Sequence, residues 1–151
     1  MCLTVKSDKS YSVAEEDIVC YKVLILSDGK LSSPYMRMPY EVGITAGACL
    51  PLVAIDASKE TYIIEEGLHT FISKKDVDMF LANVCLSPFS ANLNIAVCEA
   101  IIPMGSVYYE GIFESLTGAD ENVVLGSYAS NRLVVEKILY EHEITRRVRV
   151  G

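Results

Sequence analysis

His69 is the histidine of this chain that lies in a well-defined pattern, two residues after Gly67 and four before Ser73. An imidazole titrates near neutrality and suits general acid–base work. A helix that begins at Ser73 would also present free backbone amides, which together with His69 could contact a phosphate. A lone histidine between apolar neighbours is, however, more often a core residue. The pattern therefore makes His69 and Ser73 candidates for ligand binding, with a core role for His69 as the alternative.

Four further polar or aromatic positions could help to bind an anion. Asn131 and Arg132 stand at the entrance of a predicted strand, where arginine can bind a carboxylate or phosphate bidentately. The alternative is a turn with a solvent-exposed arginine. Lys22 is the one charge in an apolar run, and it is either a solvent-facing strand position or an ammonium that faces a ligand. Tyr109 completes the set of predicted ligand-binding residues.

The motifs of common catalytic and metal sites are absent from the sequence. There is no Gly-x-Ser-x-Gly elbow and no pair of carboxylates at a motif spacing, and the glycine-containing loop expected at residues 41–47 does not have the pattern of a phosphate loop. The five cysteines form no Cys-x-x-Cys pair and, with two histidines, give no metal-ligand spacing. Cys20, Cys85 and Cys98 lie in apolar patterns and are predicted to be core residues. We therefore predict no catalytic residue, no metal and no cofactor.

A short strand and a helix are predicted to position His69. The stretch from Leu68 to Ile72 is rich in β-branched and aromatic residues, which predicts a short strand that follows Gly67. Ser73 and Asp76 form a Ser-x-x-Asp pattern typical of a helix N-terminus. An apolar stripe at helical spacing follows, formed by Val77, Phe80, Leu81, Val84 and Cys85. The helix is expected at about residues 74–86.

Several further stretches are predicted to be strands. The run 17–26 is apolar and β-branched, and Asp28-Gly29 after it is typical of a type I′ hairpin. Strands are also expected at 92–102 and 133–140, and a short strand or turn at 106–111. We predict a single α+β domain over residues 1–151, in which one main helix packs on a mixed or antiparallel sheet. Residues 1–16 are expected to be a loose lead-in, and residues 141–151 a charged tail.

Composition excludes several classes of protein. A chain of 151 residues that is 51% hydrophobic is long and apolar enough to fold around a core. No apolar run approaches the ~20 residues of a membrane span, and the polar N-terminus does not have the pattern of a signal peptide, so we expect no membrane partner and a cytoplasmic protein. The net charge of −7 argues against a nucleic-acid partner. Nine tyrosines in a small apolar chain favour a homo-oligomer.

Four segments together carry a resemblance to known proteins. They are 19–24 (Val-Cys-Tyr-Lys-Val-Leu), 67–71 (Gly-Leu-His-Thr-Phe), 101–111 (Ile-Ile-Pro-Met-Gly-Ser-Val-Tyr-Tyr-Glu-Gly) and 128–133 (Tyr-Ala-Ser-Asn-Arg-Leu). The set resembles small uncharacterised proteins of gut bacteria and their phages. It is also similar to a domain of unknown function with a Tyr-Lys start and a Gly-Ile-His-Phe-Phe motif, although Thr70 replaces an aromatic residue here. The resemblance implies a compact α+β domain and gives no mechanism. A looser similarity to ADP-ribosyltransferase-like folds is an analogy of fold alone.

Three functions fit these observations. The leading hypothesis is a non-enzymatic binding protein, phage- or mobile-element-associated, whose ligand is a small anionic, nucleotide-like molecule or a host protein. The second is an enzyme that acts on a nucleotide with His69 as acid and base. The third is a structural or virion accessory protein, in which no residue needs to do chemistry.

Overall fold

The computed structural model describes residues 2–5, 11–33, 38–49, 53–56, 61–64, 67–83, 93–114 and 125–144. Within these ranges the chain forms thirteen β-strands and one α-helix. The strands are β1 (Cys2–Val5), β2 (Tyr11–Val13), β3 (Ile18–Ser27), β4 (Lys30–Ser32), β5 (Pro39–Tyr40), β6 (Thr45–Gly47), β7 (Val53–Asp56), β8 (Thr61–Ile64), β9 (Leu68–Phe71), β10 (Leu93–Ile102), β11 (Val107–Glu114), β12 (Leu125–Ser130) and β13 (Arg132–Ile144). The helix is α1 (Lys74–Asn83).

The strands form one antiparallel sheet, in the order β6-β13-β10-β3-β9-β12-β11-β1-β8-β7. β2 adds to β11, and β4 pairs with both β3 and β5. The predicted hairpin between β3 and β4 is confirmed, because Asp28 and Gly29 both have positive φ angles of 53° and 73° and Ser27 lies opposite Lys30.

The two faces of the sheet carry separate apolar clusters. The lysine-side cluster, named for the side chain of Lys22 on the same face, consists of Ala14, Cys20, Leu24, Leu31, Tyr40, Leu68, Ala96, Cys98, Ala100, Ile102, Leu133 and Val135. The helix-side cluster consists of Val23, Ile25, Phe71, Val77, Phe80, Ile95, Val97 and Leu125. Successive residues of a strand point to opposite faces, so β3 contributes Cys20 and Leu24 to the first and Val23 and Ile25 to the second.

The corner between β9 and α1 is built as the sequence predicts. The Ser73 hydroxyl accepts a hydrogen bond from the amide of Asp76 at 3.2 Å. The Asp76 carboxylate in turn accepts from the Ser73 amide at 3.1 Å and the Ser73 hydroxyl at 2.8 Å. These reciprocal bonds satisfy amides at the helix start. Val77 and Phe80 of the predicted stripe are buried, whereas Val84 and Cys85 lie outside the described residues.

The predicted α+β class is wrong, because the chain is predominantly antiparallel β and the described helix has only ten residues. Polar stretches that lack clear alternation also form strands. Part of the expected loose lead-in forms β1 and β2, which both pair with β11. Residues 45–47, expected in a loop, form β6 beside β13. The sequences of these short segments do not predict strands by themselves. They become strands because their backbones pair with longer, more apolar strands.

Among the described residues, no helix is long and apolar enough to cross a membrane.

Candidate functional site

Lys22 is the most unusual side chain in the structure. It lies in the middle of β3, directly opposite Cys98 of β10, and only 5% of its surface is exposed. The ammonium donates a 2.6 Å hydrogen bond to the backbone carbonyl of His69 and lies 5.2 Å from the centre of the Tyr40 ring. The solvent-facing interpretation of Lys22 is therefore wrong. The ammonium is held inside the lysine-side cluster.

The position of Lys22 follows from the way β3 meets β9. The two strands share the register pair Tyr21 and Phe71. At the next residue of β3 the Lys22 ammonium donates to the carbonyl of His69, so a side chain supplies a donor where the backbone pairing of the two strands ends. A buried carbonyl without a donor would be costly. The lysine thus satisfies the backbone at the β3–β9 junction.

Burial changes the ionisation of this site. Desolvation lowers the pKa of Lys22 from 10.5 to about 8, although the nearby Cys20 and Cys98 thiols act in the opposite direction. Desolvation also raises the pKa of both thiols, from 9.0 to about 11. At neutral pH the thiols are therefore neutral and the lysine is charged.

The described residues offer Lys22 no negative partner. The ion pair formed within the described ranges joins Lys137 and Glu99, with an N···O distance of 3.8 Å. Every buried polar or charged side chain found there is a lysine, histidine, threonine or serine, and none is a carboxylate. A buried charge without a counter-ion is costly, because a carbonyl dipole and an aromatic ring replace only part of its hydration.

The His69 ring lies on the other face of the sheet. His69 precedes Phe71 by two residues on β9 and so shares its face, the helix side. Ala129 of β12 is opposite both His69 and Tyr109, which places these side chains in one row across β9, β12 and β11. His69 is 7% exposed and Tyr109 8%, and Tyr109 makes an edge-on ring contact with Tyr11. The structure therefore brings His69 and Tyr109 into one row, away from the Lys22 ammonium.

Asn131 and Arg132 lie at a different place, at the turn between β12 and β13. The Asn131 side-chain oxygen accepts a hydrogen bond from the backbone amide of Val107 at 2.9 Å. The backbone amide of Asn131 donates to the Val107 carbonyl at 3.1 Å. The exposed Arg132 donates to the carbonyl of Met104 at 3.4 Å. Asn131 thus fastens the start of β11, and the Arg132 guanidinium lies at the surface.

The six predicted residues therefore do not form one convergent site. Ser73 caps α1 and Asn131 holds a turn, and the Lys22 ammonium contacts the backbone carbonyl of His69 while the His69 ring lies on the other face. Sequence reasoning missed Tyr40, Cys20 and Cys98 as the surroundings of Lys22. The period-two spacing of Cys20 and Lys22 was available in the sequence, but the pairing of Cys98 with Lys22 depends on the register of β10, and Tyr40 arrives from a two-residue strand.

Comparisons with protein-family models, with curated proteins and with solved structures gave no match for this chain. Over the described ranges, no group of three or more histidine, cysteine, aspartate or glutamate side chains is arranged to hold a metal ion.

Proposed function

We propose that this chain is a non-enzymatic binding protein that takes up a small anionic ligand, of the nucleotide-like size class, at the ammonium of Lys22. One observation carries the proposal: the Lys22 side chain is 5% exposed, and no described carboxylate forms an ion pair with its ammonium. An anion bound there would supply the missing counter-charge in a low-dielectric environment, where the attraction is strong. Binding would therefore offset part of the cost of burying the lysine.

Native mass spectrometry tests this proposal. The protein is purified from cells and measured before and after denaturation, as the wild type, as Lys22→Met and as Lys137→Met. Lys137 is the matched control, because its side chain is 63% exposed. We expect the wild type and Lys137→Met to release the same anion and Lys22→Met to release none. Ligand-free spectra for all three proteins would refute the small-anion proposal and favour a protein partner.

We also propose that the protein self-associates, and that it is cytoplasmic and associated with a phage or mobile element. Three exposed apolar side chains support self-association, namely Tyr11 and Val13 on β2 and Met104 in the adjoining turn. The turn lies beside β2 because the Gly105 amide donates to the Ala14 carbonyl at 2.8 Å. Light scattering at micromolar concentration tests this part. We expect a dimer or larger species that Met104→Glu dissociates, and a wild-type monomer of 16.6 kDa would contradict it.

A further inference from the structure

Two tyrosine rings and one carboxylate lie side by side on β11 and β12, where solvent reaches them. We propose that Tyr108, Glu110 and Tyr128, named here the Tyr108–Tyr128 site, bind a quaternary ammonium group such as that of choline or of a trimethylated lysine side chain. This site goes beyond the proposed function, because its ligand is a cation and its residues are not those that surround Lys22.

The register of β11 and β12 brings the three side chains together. Tyr108 and Glu110 are two residues apart on β11 and therefore project from the same face of the sheet. Tyr128 lies directly opposite Glu110, and it is the diagonal neighbour of Tyr108, whose direct partner is Ser130. Both rings pack against the lysine-side cluster, so all three side chains project on that face.

The two rings meet at a right angle. The ring centroids of Tyr108 and Tyr128 are 5.6 Å apart, and the ring planes are inclined by 87°. Both side chains are half-buried, so the core fixes one part of each ring and leaves another part open to solvent. The face of an aromatic ring carries the negative part of its quadrupole and attracts a cation within about 6 Å. Two perpendicular faces can therefore contact one cation from two sides.

Glu110 adds a negative charge at the same place. Its side chain is exposed, and it forms no ion pair with any residue that the structure describes. Burial raises the pKa of Tyr128, and the Glu110 carboxylate, the Tyr108 phenol and the Cys20 thiol raise it further, in that order. The carboxylate thus lies close enough to Tyr128 to act on its phenol. A cation beside this ring would be attracted by the same carboxylate.

The surroundings favour a methylated ammonium over a primary one. A primary ammonium is strongly hydrated, and half-buried rings beside an apolar cluster replace little of that water. A quaternary ammonium has no N–H donors to satisfy and presents methyl groups to the ring faces, a mode of recognition that aromatic sites commonly use. The net charge of −7 adds a long-range attraction for cations.

NMR of protein with isotope-labelled tyrosine rings tests the proposal by titration with choline, ethanolamine and dimethylbutanol. Ethanolamine is choline without its methyl groups, and dimethylbutanol is the neutral alcohol in which carbon replaces the nitrogen of choline. We expect choline to shift the ring signals of Tyr108 and Tyr128, each assigned by its loss in the Phe variant, and to leave that of the exposed Tyr140 unchanged. Each analogue should bind at least tenfold more weakly than choline.

The same titration distinguishes the two sources of the ligand. Acetylated trimethyllysine amide carries the quaternary group as it occurs in a protein side chain. Tighter binding of this probe than of choline would indicate a methylated partner protein, whereas tighter binding of choline would indicate a free amine. Both results support a quaternary ammonium site.

Variants locate the binding. Tyr128→Leu removes one ring face and should weaken choline binding at least fivefold, whereas Tyr128→Phe keeps the face and should restore it. Glu110→Gln removes the charge and should weaken binding about threefold. Glu143→Gln is the matched control, because Glu143 is an exposed carboxylate on β13, and it should bind choline as the wild type does. Thermal unfolding verifies that each variant is folded, and Glu110→Gln changes an exposed side chain, so it tests the site even if Tyr128→Leu does not fold.

Three outcomes would overturn the proposal. Unchanged Tyr108 and Tyr128 signals at saturating choline would show that the site does not bind it. Equal binding of dimethylbutanol would show that the site accepts an apolar group and does not recognise charge. Equal choline affinity in the wild type, Glu110→Gln and folded Tyr128→Leu would place binding elsewhere. The anion proposed at Lys22 is tested separately by native mass spectrometry, so either proposal can fail without the other.

Discussion

The side chain of Lys22 contacts the backbone of His69: the ammonium donates to the His69 carbonyl at 2.6 Å. The His69 ring lies on the opposite face of the sheet. The two residues are therefore not a paired acid and base. The contact fixes an ammonium inside an apolar cluster, and the properties of that ammonium determine most of the predictions.

Stability should rise with pH because of Lys22. Its pKa is about 8 when folded and 10.5 when exposed, so below pH 8 both states are protonated and the full cost of burial is present. Above pH 8 the folded state releases the proton first, and stability increases until about pH 10.5. The Cys20 and Cys98 thiols act in the opposite direction from about pH 8 to pH 11, because their pKa is 9.0 when exposed and about 11 when folded.

Urea unfolding at pH 8 and pH 9 measures this effect. We expect the free energy of unfolding of the wild type to rise by about 1 kcal/mol relative to that of Lys22→Met over this unit, because the thiols contribute alike in both proteins. Lys137→Met should behave as the wild type. An equal rise in all three proteins would assign the effect to other groups.

Asp76 should contribute more to stability than Ser73. Its carboxylate accepts from the Ser73 amide and hydroxyl and, at 3.1 Å, from the amide of Gly126 in β12. Ser73→Ala removes a helix cap and should cost about 1 kcal/mol. Asp76→Ala removes both the capping bonds and the link to β12, and should cost about 2 kcal/mol. Asp78→Ala, an exposed position of the same helix, is the control in urea unfolding. Equal losses at residues 73 and 76 would show that the Gly126 bond contributes nothing.

Asn131 should act on stability and not on ligand affinity. Asn131→Ala leaves the Val107 amide without its 2.9 Å partner and should destabilise the fold by about 2 kcal/mol. Asn94→Ala, exposed on β10, should change stability by less than about 0.5 kcal/mol. Native mass spectrometry of folded Asn131→Ala should release the same anion as the wild type. Loss of the anion at unchanged stability would restore Asn131 as a ligand-binding residue.

The cysteines should differ in reactivity. Cys49 is exposed, whereas Cys20 and Cys98 are buried and the pKa of each is raised to about 11. The thiolate is the reactive form, so at pH 8 iodoacetamide should label Cys49 before Cys20 and Cys98. Cys20 and Cys98 should react only after unfolding in urea. Peptide mapping by mass spectrometry identifies the labelled positions, and rapid labelling of Cys98 in the native protein would show that solvent reaches the Lys22 site.

Local turns and helix caps could be predicted from the sequence, but the fold class could not. The Asp28-Gly29 turn and the Ser73 cap were predicted correctly, because each depends on a few neighbouring residues. The fold class was wrong because short segments such as β2 and β6 become strands only through distant partners. The burial of Lys22 was missed for a related reason: its apolar surroundings come from β3, β5 and β10, and strand register is set by long-range pairing.

The most direct test of the account is the ionisation of Lys22 itself, followed by NMR of protein carrying labelled lysine, with the signal assigned by its loss in Lys22→Met. The account predicts a midpoint near pH 8 for the free protein and a clear upward shift when the anion identified by native mass spectrometry is added, because a bound anion stabilises the charged ammonium. A midpoint near 10.5 that this anion does not move would contradict both the buried charge and its role in binding an anion.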